Sequence, residues 1–385
     1  MKVAHVITRM IVGGAQENTL HTCRDLVNDY GDEVLLITGP STGPEGDLLT
    51  KGRAGCQVVY VPSLVRPINP WKDSFAYRTI KWHLNTFQPD VVHTHSAKGG
   101  VLGRLAAASL RVPVIVHTVH GAPFHPYQSP LARWLFRWCE RYAAARCHAL
   151  VTVADAMTEL MVSARVAPRD KFRKIYSGLD VDLFLRSNET RQEQRRALGF
   201  SDEHVVIGKV ARLYHLKGHA DLIKAAEAVV KQCPSARFLF VGDGVLREPL
   251  ERKIRRANLG QYFHFTGLVT PQEIPSFIGA MDVLVHTSLR EGLARAIPQA
   301  FLAGKPVISY DIDGAPEVVK SGETGFLLRP GDIDGLASSL HQLVADVELR
   351  VRFGAAGRQQ CTEKFRHQEM TRQLRDLYQE LLAEK

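Results

Sequence analysis

Short apolar runs rich in β-branched residues alternate along this chain with longer stretches whose apolar residues recur at helical spacing. This alternation limits the fold more than any other feature, because it is typical of parallel βαβ units in an α/β protein. In the first half, strands are predicted at 2–8, 33–38, 57–61, 90–93, 113–117, 149–153 and 172–176. Helices are predicted there at 14–29, 74–87, 98–109 and 129–147.

The same alternation restarts after a polar stretch at 186–196. A second set of strands is predicted at 205–212, 237–242, 263–267, 283–287 and 306–310. Helices are predicted between them near 217–232, 246–258, 271–280, 291–303, 315–320 and 332–346. A chain of 385 residues exceeds the size of a single hydrophobic core, so two domains are expected, 1–185 and 186–365.

The composition is that of a soluble globular protein, with 45% apolar and 23% charged residues. The start, MKVAHVITRMIVGG, is predicted to be a buried strand and not a signal peptide. Six scattered cysteines without CxxC spacing indicate free thiols and a cytoplasmic location. The net charge of +9 comes without a nucleic-acid-binding motif, so peripheral contact with an anionic membrane is the favoured use of that charge.

Two charged elements in the second half point to one kind of ligand. Arg212 and Lys217 lie close together in VARLYHLKGH, and Glu291 begins a later segment, EGLARAIPQA. A pair of cations suits a diphosphate, and a carboxylate suits neutral hydroxyls because it accepts hydrogen bonds from them. Together they predict a site for a sugar joined to a nucleoside diphosphate.

Nine motifs in a fixed order carry a family resemblance. They are GGAQ (13–16), HTHSAKGGVLGRLAA (93–107), TVHG (118–121), YSGLD (176–180), VARLYHLKGH (210–219), VGDG (241–244), FTGLV (265–269), REGLARAIPQA (290–300) and DGAPEVV (313–319). The chain resembles the retaining glycosyltransferases of family four, which have the GT-B fold. A dinucleotide-binding protein fits poorly, because Gly13-Gly14 and the isolated Gly242-Asp243-Gly244 do not give GxGxxG after the first strand.

The resemblance implies a fold and an activity. The fold would be α/β, with two Rossmann-like, doubly wound parallel-sheet domains facing across a cleft. Residues 1–185 would bind the acceptor, 186–365 would bind the nucleotide-sugar donor, and the helix at 366–385 would pack back on the first domain. The enzyme would transfer a sugar, from UDP by preference, to a glycan or lipid-linked acceptor of the cell envelope. A nucleotide-sugar epimerase and a non-catalytic nucleotide-sugar-binding subunit are the alternatives.

The resemblance also assigns roles to residues. The catalytic set would be His120 at the donor sugar, Arg212 and Lys217 on the diphosphate, and Glu291 on sugar hydroxyls. The donor-binding set would be Gly13, Gly14, Gly242, Leu268, Val269, Leu293, Ala294 and Gln299. Gly13-Gly14 can also be a simple strand–helix turn. At 299 the family has a second Glu, and Gln leaves the ribose contact without charge.

No cofactor and no metal are expected. Three Asp-x-Asp triplets, beginning at Asp180, Asp311 and Asp332, are interpreted as turns or helix caps. His95 and His117 are interpreted as neighbours of His120 or as core residues.

The segment 131–147 combines tryptophans and arginines at helical spacing. It is interpreted as a helix whose aromatic side chains face its own sheet, with a helix lying on a membrane as the alternative.

Overall fold

A computed structural model describes residues 1–41, 46–50 and 55–385 of the chain. The chain divides into two compact units. Unit 1 comprises Met1–Gly178 and Arg366–Lys385, and unit 2 comprises Leu179–Phe365. Both are α/β, as predicted, and each contains one parallel sheet.

In its described residues, unit 1 is built around seven parallel strands in the order β3-β2-β1-β4-β5-β6-β7. These are β1 (Lys2–Arg9), β2 (Glu33–Gly39), β3 (Gln57–Tyr60), β4 (Val91–His95), β5 (Val114–Val119), β6 (Ala149–Thr152) and β7 (Phe172–Lys174). The connecting helices are α1 (Gly14–Asn28), α2 (Pro70–Phe87), α3 (Ala97–Ser109), α4 (Pro130–Ala144) and α5 (Asp155–Ser163). The strand order reverses between β1 and β4, which is the position where doubly wound sheets bind ligands.

Local sequence explains where two of these helices begin. The Asn69 side chain accepts a hydrogen bond from the amide of Lys72, and Pro70 follows as the first residue of α2. Ser129 and Pro130 do the same for α4, where the serine side chain accepts from the amide of Ala132. A polar cap followed by proline is a strong start signal, because proline lacks the amide that the first turn leaves unbonded.

Unit 2 has six parallel strands in the order β10-β9-β8-β11-β12-β13. These are β8 (Val205–Val210), β9 (Ala236–Val241), β10 (Phe263–Phe265), β11 (Val283–His286), β12 (Val307–Tyr310) and β13 (Gly325–Leu328). The helices are α6 (Val181–Leu185), α7 (Arg191–Ala197), α8 (His219–Gln232), α9 (Arg247–Arg256), α10 (Ile274–Ala280), α11 (Ala296–Leu302), α12 (Ile333–Ala345) and α13 (Val347–Cys361). The order reverses between β8 and β11.

The polar stretch predicted to mark the junction forms part of unit 2. Its arginines Arg191 and Arg195 lie on α7 and bind the two carboxylate oxygens of Asp282, at 2.6 and 3.1 Å, just before β11. Burial by itself raises the pKa of Asp282, but the two arginines and the amide of Val206 lower it below its ordinary value. The helix α6 also packs on α10 and α11, so unit 2 begins at Leu179 and not after residue 185.

The helix α14 (His367–Ala383) packs on α1 and completes the core of unit 1. The Asp25 carboxylate on α1 accepts hydrogen bonds from His367 at 2.7 Å and from Thr371 at 2.9 Å. Tyr378 is fully buried under the sheet and hydrogen-bonds the ring of His93 on β4. This helix therefore reaches the underside of the strands that carry the histidines of unit 1.

Candidate active site

In unit 2, the predicted site residues lie at the carboxyl edge of the sheet. Arg212 and Lys217 follow β8, and Glu291 follows β11, so they flank the point where the strand order reverses. The loops after the neighbouring strands contribute Gly242, which follows β9, and Leu268, which follows β10. The structure thus brings residues from four separate loops to the edge where α/β sheets bind their ligands.

The Lys217 ammonium and the Glu291 carboxylate form a direct ion pair. Their side chains are 22% and 23% exposed, so the pair is largely shielded from solvent but still reachable. His286 Nε2 lies 3.7 Å from the same carboxylate oxygen. Burial alone raises the pKa of Glu291, but Lys217 and His286 outweigh it and lower the pKa below its ordinary value. Glu291 is therefore a carboxylate at neutral pH and accepts hydrogen bonds.

The loop that carries Lys217 is held rigidly against the end of β11. Leu216 and Gly218 both have φ of 66°, in the left-handed region. A Cβ atom at position 218 would lie 1.8 Å from the carbonyl oxygen of Thr287, so only glycine fits there. The amide of Leu289 donates to the Leu216 carbonyl at 2.8 Å. These contacts fix the backbone on both sides of the lysine.

Lys209 supports this loop from below and was missed by the sequence analysis. Its Nζ donates to Thr287 Oγ1 at 2.9 Å, and that hydroxyl donates to the Gly218 carbonyl at 2.8 Å. Burial, followed by the charge of Lys217, lowers the pKa of Lys209 to about 7. A signal was present in the sequence, because a lysine inside the apolar strand VVIGKV has no ordinary structural reason.

The prediction that Glu291 begins a helix is wrong. The helix α11 begins only at Ala296, so Leu293 and Ala294 lie in the preceding loop. The physical reason is Pro298, which would break a helix that had already begun at 291 but is tolerated in the first turn of α11. Instead, the Glu291 amide donates to the Asp313 carboxylate at 2.6 Å.

The other predicted donor-binding residues of unit 2 occupy varied positions. Gly242 has φ of 133°, and a Cβ there would lie 2.4 Å from the Ala211 carbonyl oxygen, so a side chain is excluded. Leu268 is exposed and Val269 is half-buried. Gln299 lies on α11 with only 8% of its surface exposed. The exposed Arg212 places its guanidinium 5.2 Å from the centre of the Tyr214 ring.

In unit 1, the predicted residues also lie at the carboxyl edge of the sheet. Gly13 and Gly14 stand between β1 and α1, and α1 begins at Gly14. The φ of Gly13 is 173°, an extended conformation open to any residue, so its backbone angle does not require glycine. His120 directly follows β5.

A row of histidine rings leads from His120 into the core of unit 1. His120 Nε2 lies 3.2 Å from Nδ1 of His95, and His95 Nε2 lies 3.0 Å from Nδ1 of His5. His95 is therefore a neighbour of His120. His117 points to the other face of the sheet, where its Nδ1 hydrogen-bonds Thr94 at 2.9 Å. His5 was missed by the sequence analysis, because a lone histidine in a first strand gives no signal.

Among the described residues, one cluster offers metal-ligand atoms close together. One ring nitrogen from each of His5, His93 and His95 can be chosen so that the three atoms lie within 4.8 Å of one another. However, His93 already bonds Thr118 Oγ1 at 2.7 Å through one nitrogen and Tyr378 through the other. Hydrogen bonds thus occupy both ring nitrogens of His93.

The three Asp-x-Asp triplets behave differently from one another. Asp332 caps α12 and accepts from the amide of Gly335 at 2.8 Å, which confirms the predicted cap. Asp313 holds the Glu291 loop, as described above. Asp180 precedes α6 and makes no capping hydrogen bond through its side chain.

The tryptophans of α4 do not face the sheet, so that interpretation is wrong for them. Trp134 is 61% exposed, while α4 buries Glu140, Ala143 and Ala144 instead. The Glu140 carboxylate pairs with the buried Arg104 of α3 at 2.9 Å, which turns the other side of the helix outward. The exposed stripe consists of Leu131, Trp134, Leu135, Trp138 and Tyr142.

A second exposed stripe lies on α2, which also packs on α3. Trp71 is 80% exposed, and Phe75 and Trp82 are exposed along the same side at helical spacing. Within the described ranges, no helix combines the length and the apolar character that crossing a membrane requires.

Comparison with known proteins identifies both halves of the chain. Residues 13–178 match the family described as glycosyl transferase 4-like domain. Residues 190–360 match the family described as glycosyl transferases group 1. The two matches follow each other along the chain in the same order as the two units.

Named relatives match most or all of the chain. The chain is 29% identical to the UDP-Gal:alpha-D-GlcNAc-diphosphoundecaprenol alpha-1,3-galactosyltransferase of Escherichia coli, over 100% of this chain and 98% of that protein. It is 28% identical to the 2-deoxystreptamine N-acetyl-D-glucosaminyltransferase of Streptomyces fradiae, over 90% of this chain and 86% of that protein. A crystal structure of Anabaena HepE in complex with UDP and glucose superimposes with a TM-score of 0.85 at 22% identity, covering 99% and 100%. That likeness shows the GT-B fold.

Proposed function

We propose that this chain, which belongs to the GT-B glycosyltransferases, transfers a sugar from a nucleoside diphosphate to an acceptor hydroxyl. Its first half matches the glycosyl transferase 4-like domain, and its second half matches the glycosyl transferases group 1. The observation that carries this proposal is the Lys217–Glu291 pair at the strand-order reversal of unit 2. It places a cation for phosphate and a carboxylate for hydroxyls side by side, where such sheets bind ligands. UDP is the favoured nucleotide, since the E. coli relative is named for UDP-Gal.

In this proposal, the cations act on the leaving group. The bond between the anomeric carbon and the phosphate oxygen breaks, and the nucleoside diphosphate leaves with the electron pair. Arg212 and Lys217 stabilise the negative charge that develops there, and this contribution is greatest in the transition state. Because protein cations supply the charge, the proposal needs no metal.

The acceptor oxygen then bonds to the anomeric carbon on the face that the phosphate leaves. Its proton passes to the departing phosphate oxygen, so the anomeric configuration is retained. Glu291 accepts hydrogen bonds from donor-sugar hydroxyls. The family resemblance assigns His120 a role at the donor sugar. Gln299, Leu268 and Val269 would lie along the nucleoside. These roles rest on the family resemblance and, except for Gln299 on α11, on the positions of these residues after strand ends.

The acceptor proposed for this reaction is a lipid-linked glycan of the cell envelope. The E. coli relative is named for an acceptor joined to diphosphoundecaprenol. Unit 1 carries two exposed aromatic stripes, on α2 and α4, and aromatic rings are typical of membrane–water interfaces. We infer peripheral contact with an anionic membrane. Sedimentation with phosphatidylglycerol vesicles, weakened in the double variant Trp134→Ser/Trp138→Ser, would support it, and unchanged sedimentation would exclude it.

A donor screen tests the transfer itself. Thermal shift is measured with UDP-, GDP- and ADP-sugars, and product formation is followed for the donors that stabilise the protein, with and without EDTA. We expect transfer that survives EDTA, and a loss of about 10²-fold in turnover in Lys217→Ala. Lys224→Ala, an exposed lysine of the same unit, is the matched control.

Each other outcome of the screen would indicate an alternative function or an alternative mechanism. A nucleotide sugar converted to its epimer without an acceptor would indicate an epimerase. Tight donor binding with no product would indicate a binding subunit. Loss of activity with EDTA, restored by manganese or magnesium, would overturn the metal-independent mechanism.

A further inference from the structure

We propose that His95, supported by His5, is a positioning residue that fixes the proton of His120 on Nδ1. The inference rests on the role proposed above for His120 at the donor sugar. Its basis is the continuous row of rings, in which His5 Nδ1 lies 3.0 Å from His95 Nε2 and His95 Nδ1 lies 3.2 Å from His120 Nε2. Each contact joins two imidazole nitrogens, so exactly one proton must lie between them in each hydrogen bond.

The two inner rings are neutral. Both His5 and His95 are fully buried between the sheet and the helices. Burial lowers the pKa of His5 to about 3. Burial, followed by the neighbouring histidines, lowers the pKa of His95 well below its ordinary value. Each of these rings therefore carries a single proton at neutral pH and is a donor at only one nitrogen.

The direction of the row follows from its inner end. His5 Nε2 is buried and has no hydrogen-bond partner among the described residues. If the protons pointed inward, this atom would be a buried N–H group with no acceptor, which native structures avoid more strictly than an unpaired acceptor. The favoured arrangement has His5 donating to His95 and His95 donating to His120. His120 Nε2 then accepts, and its own proton is on Nδ1.

The frame that holds the row is rigid. His5 lies on β1, and His95 ends the neighbouring strand β4. Their rings are nearly parallel, with an interplanar angle of 11° and centroids 5.3 Å apart. The His95 and His120 rings are tilted by 28° at 5.4 Å. A defined tautomer matters at a sugar, because Nδ1–H donates a hydrogen bond to a hydroxyl oxygen.

Three substitutions of His95 separate the effect of hydrogen-bond direction from the effect of side-chain size. The amide nitrogen of asparagine occupies nearly the position of Nδ1, so His95→Asn can still donate to His120. The longer His95→Gln places its amide near the position of Nε2, facing His5, and His95→Leu has no donor. The tautomer of His120 is read from long-range ¹H–¹⁵N spectra of the ring, assigned with the variant His120→Gln.

We expect Nδ1–H at His120 in the wild type and in His95→Asn, and a mixture of tautomers in His95→Gln and His95→Leu. Turnover should fall about tenfold in His95→Gln and His95→Leu and recover to within about threefold in His95→Asn. Donor KM should stay within about twofold in all three, because the nucleoside and diphosphate contacts proposed above are made by residues of unit 2. If His95→Leu does not fold, the two amide variants carry the comparison.

Three results would overturn the proposal, two from the spectra and kinetics and one from metal analysis. One is Nε2–H at His120 in the wild type. The other is equal tautomers and equal turnover in His95→Asn and His95→Gln. A stoichiometric metal ion in the purified wild type would also contradict it, since the ring lone pairs would then be used for coordination. If the wild type transfers no sugar, the proposed function fails, but the spectra still decide the direction of the row.

Discussion

Both units bury polar side chains below the carboxyl edge of a parallel sheet, close to the reversal of strand order, but the groups differ in kind. Unit 1 uses the neutral rings of His5 and His95, which are hydrogen-bonded to each other, and of His93, which is hydrogen-bonded to two hydroxyl groups. Unit 2 uses charges, with the Lys217–Glu291 pair above and Lys209 beneath it.

This difference shows two ways to keep a buried polar cluster stable. Neutral rings need only directional hydrogen bonds, so geometry matters more than charge. Buried charges need an opposite partner, since their desolvation is costly without one. Substitutions that preserve shape and hydrogen bonding should therefore be tolerated in unit 1, while substitutions that remove charge should lower turnover in unit 2.

The largest effect is expected at Glu291. Glu291→Gln keeps the size of the side chain but removes the charge that faces Lys217 and accepts from sugar hydroxyls. Turnover should fall by 10²–10³-fold, roughly the effect of deleting one group that stabilises a transition state. Steady-state kinetics measure it, and Glu323→Gln, on the exposed surface of unit 2, is the control. A loss of turnover smaller than that of His95→Leu would contradict the proposed difference between the two units.

The next effect concerns stability at Lys209. The pKa of this group is about 7 in the folded protein, against an ordinary value of 10.5. Between those values the unfolded chain binds a proton that the folded chain does not, so wild-type stability rises with pH in that window. Lys209→Met lacks this dependence and should be more stable near pH 7 by roughly 1–4 kcal/mol.

Urea unfolding at pH 7 and pH 10 measures that difference, which should shrink at the higher pH. Turnover of Lys209→Met should nevertheless fall several-fold, because Thr287 loses the donor that holds it against the Gly218 carbonyl. A variant that is both more stable and fully active would show that Lys209 does not support the Lys217 loop.

The smallest effect is expected at Gln299, which is uncharged although it belongs to unit 2, whose buried polar cluster contains charged groups. Gln299→Leu should raise donor KM about tenfold, the cost of leaving ribose hydroxyls unpaired in a buried place. Turnover should change little, since the ribose lies away from the bond that breaks. Gln299→Glu should keep or improve donor binding. A donor titration of both variants decides whether residue 299 contacts the nucleotide.

Periodicity was sufficient to predict most strands, and with them the loops that hold the charged residues. This succeeded because buried parallel strands are short, apolar and bounded by turns. The start of α11 was missed since the apolar pattern runs continuously through 291–303, while the deciding residue is Pro298. Proline restricts the residues before it through the backbone, which an apolar pattern does not register.

The orientation of α4 could not be predicted in the same way. Its apolar stripe was recognised, but a stripe does not say which side of the helix meets the sheet. The Arg104–Glu140 pair decides this, because it places a charged residue inward and leaves the tryptophans outside. The lysine inside VVIGKV is visible in the sequence, but its hydrogen bond to Thr287 is not, since it joins residues far apart in the chain.

The return of α14 to unit 1 has a consequence for how the protein is made. Met370, Leu374 and Tyr378 belong to the core of unit 1, yet they are synthesised after the whole of unit 2. Unit 2 is one continuous segment, so it can fold as soon as it has been synthesised. Residues 1–178 can complete their core only after α14, which covers their sheet, has been synthesised. During that interval His93 lacks the hydrogen-bond partner that Tyr378 later supplies.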